Sequence, residues 1–118
     1  MAGKNGEWYM KNGECLKFNQ EEVNIIEVDM DQEHFDFAIT VAKESFDKCA
    51  AGDDPGMSNH IVDRFNDTYG THWMAIVGDN HGCAVNHNSN YAQFHLTKKY
   101  AEKLRREKHV VVFKIAWF

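Results

Sequence analysis

Basic charge is in short supply in this chain. Thirteen Lys and Arg stand against eighteen Asp and Glu, for a formal net charge of -5. That balance excludes the broad basic footprint of a general nucleic-acid binder. Cysteine is scarce and odd in number: Cys15, Cys49 and Cys83 are widely spaced, which argues against a disulfide framework and for a reducing compartment. The first residues, MAGKNGEW, hold no apolar run, so no secretion signal is expected there. No stretch reaches the length of a membrane span. The Asn66-Asp67-Thr68 sequon therefore carries no meaning, and a cytoplasmic location is expected. Proline occurs once, and neither an internal repeat nor a low-complexity tract is present.

What remains is a globular composition. With 43% hydrophobic and 26% charged residues over 118 positions, the chain has material for one modest core. Residues 1–21 show no period and read as an extension, ordered against a partner if at all. Val23, Ile25, Ile26 and Val28 form a β-branched run, hence a strand. Asp29 and Asp31 supply helix-start chemistry, and Phe35, Ala38, Ile39, Ala42, Phe46 and Cys49 follow at helical spacing. Gly52 stops that helix, and Asp53-Asp54-Pro55 starts a second, with Met57, Ile61, Phe65 and Tyr69 four apart.

From Trp73 the period changes. Trp73 to Val77 reads as a strand closed by Gly78-Asp79-Asn80; Cys83 to His87 and Tyr91 to Leu96 are weaker strand candidates; His109 to Ile115 is a buried one. The order predicts an α+β fold, with helices packed on an antiparallel sheet. Residues 97–108 hold six Lys or Arg in twelve and predict a short basic helix or an extended hairpin. Its cations, Lys98, Lys99, Lys103, Arg105 and Arg106, are candidates for docking an acidic partner, weighed against a solvated face of alternating charge.

Catalytic readings are weaker. Asp29, Asp31 and Glu33 alternate like a calcium loop, but His34 and Thr40 occupy the positions that need Gly and Glu. His81, Cys83 and His87 invite a metal or thiol reading, yet no second ligand pair, positioned base or oxyanion site accompanies them. The glycines of Gly78-Asp-Asn-His-Gly82 join strand to strand and open no helix, so they make a turn and not a phosphate loop. No catalytic residue, metal or cofactor is assigned.

His60, Ile61, Phe65, Tyr69, Trp73, Ile76, Val77, Gly78, Asn80, Gly82, Val85 and His87 stand at the spacing H-I-x-x-x-F-D-x-x-Y-x-x-x-W-x-x-I-V-G-x-N-F-G-S-x-V-x-H-E. This pattern resembles the dynein light chain type 1 family, over about residues 24 to 115. The resemblance implies a dimeric, non-catalytic peptide-binding module in which one strand crosses to the partner's sheet. A peptide strand then lies beside it, held by backbone bonds and selected by side-chain pockets. Carried over, the crossing strand and peptide groove comprise Asn80, His81, Gly82, Cys83, Ala84, Val85, Asn86 and His87, with Phe94 and Leu96. Trp73, Met74, Ile76 and Val77 are the implied dimer and core positions. The domain expected is 22–118, after the extension 1–21.

The departures cluster in the groove. His81 replaces the family's Phe, Cys83 its Ser, Ala84 a common Tyr, Asn86 a Thr and Asn88 an acid; Met74 replaces a His. Selectivity is therefore expected to differ from the family's usual Thr-Gln-Thr peptides. The expected partners are dynein intermediate chains and other dynein subunits, in a homodimer or with a related light chain. The expected setting is the cytoskeleton, in particular the ciliary axoneme. The alternative is a general adaptor of the same fold outside motors.

Overall fold

The computed structural model describes residues 13–70, 72–79 and 90–115. The elements run β1 (Cys15–Lys17), β2 (Glu21–Asp29), α1 (Gln32–Lys48), α2 (Asp54–Tyr69), β3 (Trp73–Gly78), β4 (Tyr91–Ala101) and β5 (Leu104–Lys114). All strand pairs are antiparallel, in the order β1-β2-β4-β5-β3. The α+β expectation holds.

Local chemistry sets the helix bounds. Asp31 is the α1 N-cap, its carboxylate accepting from the His34 N–H at 2.8 Å; the cap is thus Asp31 and not Asp29. Asp53 caps α2 through the Gly56 N–H, with Pro55 in the first turn. Gly70 ends α2 at φ 94°, a conformation that favours glycine. The Asn66 side chain then accepts from the Trp73 N–H at 3.2 Å and ties the start of β3 to α2.

Both helices pack on one side of the sheet. Phe35, Ala38, Ile39, Ala42 and Phe46 of α1 and Met57, Ile61 and Phe65 of α2 meet Val23 and Ile25, Trp73 and Val77, Ala92, Phe94 and Leu96, and Val110 and Val112 in a single core. Rings lock the layers edge to face: Phe35 on Phe94 at 5.8 Å and Phe37 on Phe65 at 4.9 Å between centroids. Between the helices, Glu44 of α1 takes Arg64 and His60 of α2, the latter at 3.0 Å. Burial works against the Glu44 charge, but the bonds from Arg64 and His60 outweigh it and hold the carboxyl below its usual range.

One segment differs from expectation, and in a second the structure selects between two readings. Cys15–Lys17, inside the stretch read as an extension, forms a strand on β2, with Leu16 opposite Val23 and packed against the core. Three residues are too few to show a period, so only the pairing reveals them. Of the two readings of residues 97–108, the extended hairpin is the one observed: β4 and β5 run through them and turn at Glu102 and Lys103. A register shift at Lys99/Ala101 sits just before the turn.

Candidate binding face

Alternation along each strand gives the sheet a second side, turned away from the helices. There β4 presents Tyr91, Gln93, His95 and Thr97, β5 presents Glu107, His109 and Val111, and β3 presents Met74 and Ile76. His95 pairs directly with His109, and Val111 lies between Gln93 and Ile76. Polar side chains on this face are linked to one another. Gln93 donates to the Tyr91 hydroxyl at 2.7 Å and its carbonyl meets His109 Nε2 at 2.7 Å. His95 Nε2 stands 3.8 Å from a Glu107 carboxylate oxygen. Tyr91, Gln93, Thr97, His109 and Val111 are all buried.

The face ends at β3, the terminal strand of the sheet. One edge of β3 is taken by β5; no strand among the described residues takes the other. An open edge of this kind offers N–H and C=O groups to an added strand. Its end is held firmly. Lys108 of β5 is only 7% exposed, and its ammonium lies 2.6 Å from Asp79, just past β3, and 2.8 Å from Asp54 in the first turn of α2. The Asp79 contact has hydrogen-bond geometry; the Asp54 contact is an ion pair without it. Burial alone would push the Lys108 ammonium down, but the two carboxylates outweigh it and raise its pKa. The bond from Lys108 lowers that of Asp79. Sheet, helix and the exit toward Asn80 are thereby fastened at one point.

The expected site residues divide. Asn80, His81, Gly82, Cys83, Ala84, Val85, Asn86 and His87 lie outside the described residues. Phe94 and Leu96 face the helices and are fully buried, so they have no surface to offer a peptide. The other parity of β4, Tyr91, Gln93, His95 and Thr97, lies on the second face, where only His95 keeps partial exposure. Trp73 and Val77 are core residues, while Met74 and the half-buried Ile76 sit on the second face. Trp73 is enclosed by Phe65, Tyr69 and His34, with ring centroids 4.6, 6.4 and 5.6 Å away.

The basic segment is largely neutralised within the chain. Lys98 bonds Asp47 at 2.7 Å, Lys99 reaches Glu22 at 3.5 Å and Arg105 reaches Glu107 at 2.7 Å. Arg106 donates to the carbonyls of Phe46 and Cys49 and caps the C-terminus of α1, with its guanidinium 4.7 Å from the Phe46 ring. Lys98 and Arg106 are therefore structural. The Gln93–His109 link was missed by sequence reading, although the alternation Tyr91-x-Gln93-x-His95-x-Thr97 was the signal for it. Among the described residues no cluster of His, Cys, Asp and Glu could hold a metal ion, and no helix is long and apolar enough to cross a membrane.

The dynein light chain type 1 family model matches residues 22–115, from the start of β2 to just past β5. The chain belongs to the dynein light chain type 1 family. Comparison with curated proteins finds no match. Within this family member, the match covers both helices and four of the strands and leaves β1 outside. The second face and the β3 edge lie within the matched residues, and β1 lies outside them.

Proposed function

We propose that this light chain is a non-catalytic, dimeric module that holds intermediate-chain segments in a dynein motor, specifically an axonemal one. The carrying observation is the edge of β3 that no strand among the described residues takes, with Lys108 and Asp79 joined at its end. An exchanged strand from a partner copy would extend the sheet there, and a peptide strand would lie beyond it. Two such grooves in a symmetric pair would hold paired chains with avidity. The buried Gln93–His109 and Tyr91 contacts give the face a polar pattern that supports a narrow partner set. The axonemal assignment rests on the changed groove residues and on the added β1.

Light scattering on the purified protein tests the pairing, against a chain mass of 13.6 kDa. Twice that mass is expected, together with saturable binding of intermediate-chain peptides. A monomer at every concentration that ignores those peptides sinks the proposal. Affinity capture from cilia and from cytosol tests the setting. Recovery with only cytosolic, non-motor partners replaces the motor reading with a general adaptor of the same fold.

A further inference from the structure

Lys108 is one lysine held by two carboxylates of opposite character. Val110 and Val112 of β5 belong to the core, and by alternation Lys108 shares their side of the sheet. It pairs in register with the fully buried Leu96. Only 8% of its side chain is exposed. The Asp54 side chain, in the first turn of α2, is 29% exposed; that of Asp79, one residue past β3, is 82% exposed. The ammonium thus has one partner inside the fold at 2.8 Å and one in solvent at 2.6 Å.

The register gives this bond its place. β3 pairs with β5 from Trp73 opposite Lys114 to Gly78 opposite His109. One more step in the same register would set Asp79 opposite Lys108. The backbone ladder stops before that step, and the side-chain bond stands where the next pair would be. β5 runs on to Leu104 against β4 alone among the described residues. Among those residues, the last hold of β5 on the end of β3 is therefore Lys108.

The two carboxylates differ in what their loss would cost. A buried ammonium is expensive unless a counter-charge stays with it. Asp54 stays, because it is fixed in α2, whose positive N-terminal end favours a carboxylate and disfavours a bare cation. Asp79 can leave. Its carboxylate is mostly in water already, so parting it from Lys108 forfeits one charge-assisted bond and strands no charge in the interior. One carboxylate suffices to keep the buried ammonium paired. The second, at the exit of β3, adds a hold that opens without disturbing the first.

We propose that Lys108, Asp54 and Asp79 form a releasable clasp: Asp54 holds the ammonium permanently, and Asp79 closes or frees the end of β3. The clasp sets how readily that end lifts from β5. Under the proposed pairing it also sets how fast paired chains part and recombine. That second consequence rests on the pairing; the clasp itself does not.

The test is amide hydrogen exchange by NMR on the full chain, with urea unfolding alongside, for Asp79→Asn and Asp54→Asn. Asp79→Asn should quicken exchange at the Gly78–His109 end of the ladder about three- to tenfold. It should leave the Trp73–Lys114 end and the urea midpoint as in the wild type. Asp54→Asn should lower the urea midpoint, because Lys108 then keeps only its exposed partner. In a Lys108→Met background, Asp79→Asn should no longer change exchange at the ladder end. The proposal is overturned if the two substitutions lower the midpoint equally, or if Asp79→Asn leaves the ladder end unchanged. It is also overturned if the effect of Asp79→Asn survives in the Lys108→Met background. Mixing isotope-labelled with unlabelled chains, followed by native mass spectrometry, reads the pairing. Asp79→Asn should speed the formation of mixed pairs, and an unchanged rate overturns the part of the clasp in pairing. If the wild type forms no pairs at all, the pairing itself fails, and hydrogen exchange still decides the clasp.

Discussion

On β4, Ala92, Phe94 and Leu96 turn to the helices and are fully buried, whereas Tyr91, Gln93, His95 and Thr97 turn away, with Gln93 bonded to Tyr91 along the strand and to His109 across it. On β5, Val110 and Val112 face the helices, while Glu107, His109 and the fully buried Val111 face away. The helix side is apolar and jigsaw-packed, so it sets the fold and discriminates poorly among partners. The far side spends buried area on directional bonds. A polar group there is tolerated only when its partner is in place, so that side is suited to recognition.

Breaking the helix side should have the largest effect. Phe94→Ala removes a ring packed edge to face on Phe35 and should cost about 3–5 kcal/mol in urea unfolding. A loss below about 1 kcal/mol would mean that Phe94 does not face the core.

Lys108→Met comes next. It keeps an apolar stem where the buried lysine joins Asp54 and Asp79, and it should cost about 1–3 kcal/mol. Hydrogen exchange should also quicken at the end of β3; unchanged exchange there would separate Lys108 from that exit.

Gln93→Leu sharpens the far side. Removing the amide takes a partner from both Tyr91 and His109 and should cost about 1–2 kcal/mol. Adding His109→Leu should cost less than the sum of the two single changes, because both remove the same bond. Strict additivity of the two changes, measured as a double-mutant cycle, would show that the contact carries no coupling.

The smallest effect is a pH dependence to which Asp31 and Glu44 of the helix layer contribute. Asp31 is held below its usual pKa by the His34 backbone bond first and the His34 side chain second, and Glu44 by Arg64 and His60 against burial. Both carboxyls bind protons more weakly folded than unfolded. Their stabilisation is complete above the unfolded values, about 4, and is lost as pH falls through the lower folded values. The thermal midpoint should therefore drop below about pH 4, and Glu44→Gln should flatten that drop. An unchanged slope in the variant would exclude Glu44 as a source.

The contrast between the two sides also explains what could be read without coordinates. Both helices were legible because Phe35 to Cys49 and Met57 to Tyr69 recur at three and four and carry start signals at Asp31 and Asp53. The strands β3 and β5 were legible from Trp73–Val77 and Val110–Phe113. Parity was not. Phe94 and Leu96 alternate with Gln93 and His95 in either orientation, and only the position of the helices says which set is inside. The basic hairpin was legible as charge but not as partners: Asp47, Glu22 and the carbonyls at the end of α1 are distant in sequence. The segment from Asn80 to His87, where the light-chain groove was expected, lies outside the described residues.

The two margins of the sheet are unequal. At one, β1 is three residues long, carries the exposed Cys15 and Lys17, and covers β2 opposite Glu22, Val23 and Asn24. The rest of β2 is charged at Glu27 and Asp29 and breaks register between Ile25 and Glu27. Such a margin is a poor template. Under the proposed function, strand addition would be directed to the other margin, and each chain would offer one margin only to the exchanged strand and the peptide beyond it. An assembly of that kind would close instead of propagating, which would protect a sheet-rich protein at high local concentration from running on into fibres.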